Sequence, residues 1–413
     1  MVRPVLKTDP PSTSNVLSNC VVCGLQLPLR MPQPDEKAEE WTCSGCGAAF
    51  TAVFVEDCPP KVRKNVRRKQ DTRELETDVL AEVLASHGTL KHVPPTPRGI
   101  RSPLQTRLSQ DLDQVISDPA NLVIPPQGEP LSSRCVHHGA TSYDEQVARQ
   151  VVESHTLAVE QIGTTYQSFA DGKDVDIDEI LQVLNKIIEQ SMADNDLMVC
   201  LGINAVGTDY PNRHSVHSAI LSMSIGITMG LDEKTISEMG LGCLLHDIGM
   251  LAVAEHADTP RNFEVKQFME IATHPVHTLE LIQRQYNSVP DSSKMVAYQI
   301  HERCNGSGYP RGRTGDAIHD LAKIAMVADT YVALTTRRRH RPAMTPYYAV
   351  LKVLEEVREG QFDPTVVRGF IQTVSLFPIG SYVCFDDDLY GKVLRKNVNQ
   401  YDRPVIEAWN ASD

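Results

Sequence analysis

Chelating side chains recur through the middle of this chain at nearly constant spacing. His214, His246, His274 and His301 are followed by Asp329, so a ligand-type residue returns every 27–32 residues, and Asp247 doubles one position. One helix plus its connection has that length, so the pattern suits a bundle whose helices each turn a ligand inward to a metal. Apolar residues at three- and four-residue steps support this. Val147, Val151, Val152, Leu157, Ala158, Ile162 and Tyr166 predict a long helix over 144–172. A second is expected from Asp176 to Met192, and a third apolar segment from Asp196 to Thr208. Within the ligand series, a helix through His214 should end at Gly230. The next, capped by Asp232, should reach His246-Asp247 and stop at Gly249. Further helices are expected through His274 to Ile282, from Lys294 to Glu302, and from Leu321 to Thr335 with Asp329 in its middle. The expected fold class is mainly α, with a helical core over 141–375.

The chain has 413 residues, enough for two or three domains with at least one large core. A net charge of −13 argues against a general nucleic-acid coat. No run of eighteen apolar residues and no apolar leader is present, so the expectation is no membrane span and a cytoplasmic location. Four of the ten cysteines form two CxxC-Gly units, Cys20/Cys23 and Cys43/Cys46. Two such knuckles about 20 residues apart offer four thiolates to a tetrahedral zinc. Residues 1–60 therefore resemble a zinc ribbon with structural zinc, expected to dock a protein partner. A redox role fits less well, because redox CxxC motifs normally stand singly near a βαβ pattern.

Residues 61–140 read as a basic, Pro-rich linker with a short helix over 72–87. The run from Lys61 to Gln70 is either a solvated helix start or an anion contact, and Arg63 and Arg67 share the RxxxR spacing of PilZ domains. His137 and His138 are expected at the surface. Residues 376–413 read as a small β appendage: a strand from Leu376 to Val383, a hairpin turn at Asp386–Gly391, and strands at 392–395 and 404–408.

The succession of His214, His246-Asp247-Ile248-Gly249, His274-Pro275, His301-Glu302, Asn305-Gly306-Ser307-Gly308-Tyr309-Pro310 and Ala328-Asp329-Thr330 resembles the HD-GYP branch of the HD superfamily of metal-dependent phosphohydrolases. The resemblance implies an HD-type helical bundle holding iron or manganese, two divalent ions here, and hydrolysis of cyclic di-GMP, a bacterial second messenger. It implies metal ligation by His214, His246, Asp247, His274, His301 and Asp329, with His246 and Asp247 also catalytic. It further implies that Tyr309, Gly308 and Pro310 lie against the substrate and that Arg338 and Arg341 reach its phosphate. Otherwise the run from Arg337 to Arg341 is a solvated basic face. The residue types suit the chemistry: two ions sharing a carboxylate can clamp both sides of an in-line displacement.

The sequence departs from the family pattern at five places. Ile300 stands where a histidine is expected, Tyr210 where some members carry glutamate, and Met250 where HDIGK has lysine. Asn305 and Val332 replace aspartates. A second reading follows, in which a degenerate module binds a ligand or partner without turnover. His217 and His277 are expected to be exposed or to sit behind the ligands, and His256 and His319 to lie on loops.

Overall fold

The computed structural model describes four N-terminal strands and most of residues 128–410, omitting 140, 142, 174, 204–210, 254–264, 286–287, 337–342, 386–388, 398–400 and 402. The four zinc-ribbon cysteines, the linker through 127, Tyr210, His256, Arg338 and Arg341 lie outside the described residues.

Asp144 opens the first long helix, α1 (Glu145–Ala170), by accepting the N–H groups of Gln146 and Val147. That cap satisfies donors that no helical carbonyl can reach. The second and third predicted segments are one element, α2 (Ile177–Ile203), broken at Asp194, whose backbone is extended (φ −155°, ψ 91°). Next come α3 (Asn212–Thr228) and α4 (Glu233–Leu245), the latter capped by Asp232 as expected. After α4 the chain does not stop at Gly249. It continues as a 3-10 turn, Ile248–Val253. Gly249 serves close approach there: a Cβ would come within 2.1 Å of the His274 carbonyl oxygen.

The bundle is completed by α5 (Val265–Ile271), α6 (His274–Gln285), α7 (Asp291–Gln299), α8 (Asp320–Thr335), α9 (Pro346–Arg358) and α10 (Pro364–Val374). The core is a continuous apolar cluster centred on α3, α4 and α8, with Val216, Ile220, Leu244, Ala325 and Ala328 all fully shielded. The stretch Glu233–Val253 is long and apolar enough to cross a membrane, but it sits in the middle of this cluster, largely buried, and carries His246 and Asp247.

β1 (Val16–Asn19) and β2 (Gln26–Leu29) form an antiparallel pair. β3 (Ala38–Thr42) and β4 (Ala49–Phe54) join β5 (Tyr382–Phe385), β6 (Leu389–Arg395) and β7 (Val405–Asn410) in one five-stranded sheet, ordered as numbered. β4 and β5 pair in parallel, Ala52 opposite Tyr382. The sheet thus draws strands from both ends of the sequence. The strand expected over 376–383 begins only at Tyr382, because Leu376 to Gly380 forms turns.

One charge cluster ties the sheet to the bundle. Arg395 of β6 is almost wholly buried and meets both carboxylate oxygens of Asp194 at 3.0 Å. Its Nε donates to the Thr141 carbonyl, and its guanidinium lies 4.3 Å from the Tyr143 ring centroid. The break in α2 aims Asp194 at this planar fork, which suits bidentate pairing.

Candidate metal centre

Four helix ends and one helix interior meet at a single buried point. His214 comes from the first turn of α3, and His246 and Asp247 from the end of α4. His274 begins α6, His301 follows the end of α7, and Asp329 sits inside α8. The six residues predicted from spacing are therefore brought together. Asp329 Oδ1 lies 2.7 Å from His214 Nε2 and 3.4 Å from His246 Nε2. Asp247 Oδ1 lies 3.4 Å from His246 Nε2, 3.3 Å from His274 Nε2 and 3.8 Å from His301 Nε2. His301 Nδ1 is 3.4 Å from Asp329 Oδ2.

Two overlapping groups, His214/His246/Asp329 and His246/Asp247/His301, have ligand atoms within 4.8 Å of one another, close enough to hold a metal ion. The ring tautomers agree with this. His246 Nδ1 donates to the Cys243 carbonyl at 2.7 Å, and His274 Nδ1 to the Ile271 carbonyl at 2.8 Å. Each bond leaves the Nε2 lone pair facing inward, the usual arrangement of a ligating histidine. At the centre, His246 Nε2, His274 Nε2, His301 Nε2 and both oxygens of Asp247 are buried without a hydrogen-bond partner. Orphaned buried acceptors are costly. Their convergence on one point fits divalent cations.

Electrostatics point the same way. Burial opposes the charge of Asp247 and Asp329, yet the surrounding imidazoles hold both carboxyls far below the usual range. Burial likewise opposes charge on His246, but Asp247 and Asp329 outweigh it and raise its pKa to about 9. His274 goes the other way: burial, then repulsion from His301, lowers it to about 3. Two ionised carboxylates in a closed site call for positive charge among them, which a cation supplies.

Thr278, which carried no sequence signal, and the motif residues Glu302 and Gly308 to Pro310 support the site. Thr278 Oγ1 donates to the His246 carbonyl at 2.7 Å and accepts the Gly249 N–H at 3.0 Å, stitching α4 to α6. Glu302 is fully buried, and its carboxylate accepts the N–H groups of Arg311 at 2.9 Å and Arg313 at 2.8 Å. It thereby folds the 303–313 loop back over the site. Gly308 allows this approach, since a Cβ there would strike the Glu302 backbone at 2.3 Å. Tyr309 N–H donates to the His301 carbonyl, and its ring stacks on His301 at 5.0 Å and 19°. Tyr309-Pro310 is a cis peptide.

The departures resolve into packing. Ile300 is fully buried in the main core. Met250 packs with Val253 and Ile271 in a small apolar cluster beneath α5. Asn305 accepts the Ser307 N–H and donates to the Glu359 carbonyl, while Val332 is core. His277 is partly exposed beside Glu280, and His319 caps α8 through Leu321 N–H. Of the two places expected for His217, the surface is excluded. It is buried, with its Nε2 2.8 Å from that of His155.

Residues 203–366, most of the helical core, match the family model described as HD domain. Over 204 residues the chain is 28% identical to cyclic di-GMP phosphodiesterase PA4108 of Pseudomonas aeruginosa, covering 49% of this chain and 48% of that protein. It is 24% identical over 248 residues to the cyclic di-GMP phosphodiesterase of Thermotoga maritima, 59% of each. With 3'3'-cGAMP-specific phosphodiesterase 3 of Vibrio cholerae it shares 28% over 171 residues, 41% of this chain and 36% of that one. The chain spans about half the length of the curated relatives it matches.

Proposed function

We propose that this core is an HD-GYP-type phosphodiesterase that hydrolyses a cyclic dinucleotide, with cyclic di-GMP the first candidate. The observation that carries this reading is the set of partnerless buried atoms on His246, Asp247, His274 and His301. The names of the matched relatives support the substrate class.

In this reading His214, His246, Asp247, His274, His301 and Asp329 hold two divalent cations, iron or manganese. Bound there, the cations would polarise the phosphoryl oxygens and acidify water. The chain's own groups do the rest. Asp247 sets Oδ1 among the imidazoles of His246, His274 and His301, and Cys243 and Ile271 hold the imidazoles of His246 and His274 in the ligating tautomer. Glu302 pins the loop that carries Gly308, Tyr309 and Pro310, so Tyr309 walls the site beside His301. Arg338 and Arg341 offset charge on the phosphate. Cys20, Cys23, Cys43 and Cys46 hold a structural zinc, and the ribbon docks a protein partner in a bacterial cytoplasm.

A second reading rests on Ile300 and Met250. Both are buried among apolar side chains and offer neither a ligand nor a charge. A module of that kind binds a ligand or a protein partner without turnover.

Elemental analysis of the purified full chain, beside a cyclic di-GMP turnover assay followed by chromatography, separates the two. Two equivalents of iron or manganese with linear product formation support the enzyme. One or none, with intact substrate, supports the module.

A further inference from the structure

Helix α5 departs from the pattern of the core helices. Of its seven residues only Ile271 is buried, against Met250 and Val253. Val265, Phe268 and Met269 remain 82%, 45% and 39% exposed. They follow the i, i+3, i+4 rule, so one apolar face of the helix is turned to solvent. Exposed apolar faces of this kind commonly mark binding surfaces.

This face is continuous with the metal centre. The Phe268 ring meets Tyr309 edge-on, with centroids 5.8 Å apart and planes at 87°. Tyr309 in turn lies flat on His301 and edge-on to His274 at 6.0 Å. An aromatic series therefore runs from two candidate ligands outward to solvent, and Phe268 is its outermost ring. A single ring, Tyr309, separates Phe268 from the imidazole of His301.

We infer that Phe268 is a stacking platform for a purine base of the dinucleotide, placed while the phosphodiester sits at the ligand cluster. The inference rests on the phosphodiesterase reading above. Base stacking on aromatic side chains tolerates any base, because each has a π face. Met250 contributes indirectly. Where the resembling family has lysine, this chain has an apolar anchor that seats α5, and the Ile271 carbonyl at the end of α5 also orients His274. Base platform and metal ligand are thus braced by the same short helix.

The test is equilibrium binding of a phosphorothioate analogue of cyclic di-GMP to the metal-loaded full chain, with Phe268→Ala and Phe268→Trp beside it. Phe268→Ala should weaken analogue binding by roughly 5- to 100-fold, and Phe268→Trp should restore it. Metal content and the affinity for inorganic phosphate, which carries no base, should not change. Equal analogue affinity in Phe268→Ala overturns the platform, and the exposed face then serves a macromolecular partner. Parallel losses of metal or phosphate binding in Phe268→Ala also overturn it, since they assign Phe268 a structural part. Wild-type protein that binds phosphate but not the analogue removes the dinucleotide reading itself, and the platform with it.

Discussion

Two buried histidine clusters stand side by side in this bundle, and they share a helix. His214 and His217 are three residues apart on α3. His214 faces Asp329, and its cluster contains two carboxylates held far below their ordinary pKa. His217 Nε2 faces that of His155, 2.8 Å away. Burial, with a smaller push from Arg213, lowers His155 to about 4, and burial also lowers His217. Beside Asp247 and Asp329, equally buried His246 is raised to about 9. Burial favours the neutral ring at His155 and His217, and also at His274, where repulsion from His301 adds to it and outweighs Asp247. Only where Asp247 and Asp329 both act on one ring, at His246, do carboxylates reverse the sign.

The comparison breaks most sharply at Asp247. Asp247→Asn should abolish stoichiometric metal binding and lower diester hydrolysis beyond the roughly 10–100-fold that loss of an outer supporting group costs. His155→Gln should keep its full metal content. Elemental analysis of both variants checks this, and equal loss in both would remove the distinction between the clusters. Chelation comes next. With an ion at about 100 times its Kd, removal should cost wild-type protein roughly 3 kcal/mol, and Asp247→Asn almost nothing. Thermal unfolding with and without chelator reads the difference.

Thr278→Val should cost about 1–3 kcal/mol, because it orphans the buried Gly249 N–H beside His246. Urea titration measures it. The smallest effect belongs to the inert pair. An unfolded chain takes a proton on His155 below about pH 6.5, while the folded one refuses it until about 4. The unfolded state therefore binds more protons in that window, and stability falls as pH drops through it. At pH 5.5 the contribution is about 1 kcal/mol. Denaturation curves at pH 7.5 and 5.5 should differ less for His155→Gln than for wild type.

Much of the candidate site was legible because its signal is local. Ligands at four helix ends and inside a fifth helix, apolar residues at helical steps and Asp232 as a cap all depend on neighbours in sequence. The observed α1, α3, α4 and α8 follow that reading. Gly249 misled because its reason is the His274 carbonyl, 25 residues on, rather than a helix stop. The partner of His217 was hidden for the same cause: it lies 62 residues away. Phe268 carried no signal, since an apolar residue on a short helix looks like core until its exposure is known.

By itself the sequence determined the mainly helical core, the order of the elements and the identity of the six candidate ligands. Periodicity and capping act within a turn or two of chain, so they can be read without coordinates. Only the tertiary structure decided which imidazoles share a space with Asp247 and Asp329, and which, like His155 and His217, pair with each other. It also paired strands from both ends of the chain and set Arg395 against Asp194. Those outcomes depend on burial and on charges brought together across long loops. A few ångströms in a low-dielectric interior reverse their sign, and sequence distance does not encode them.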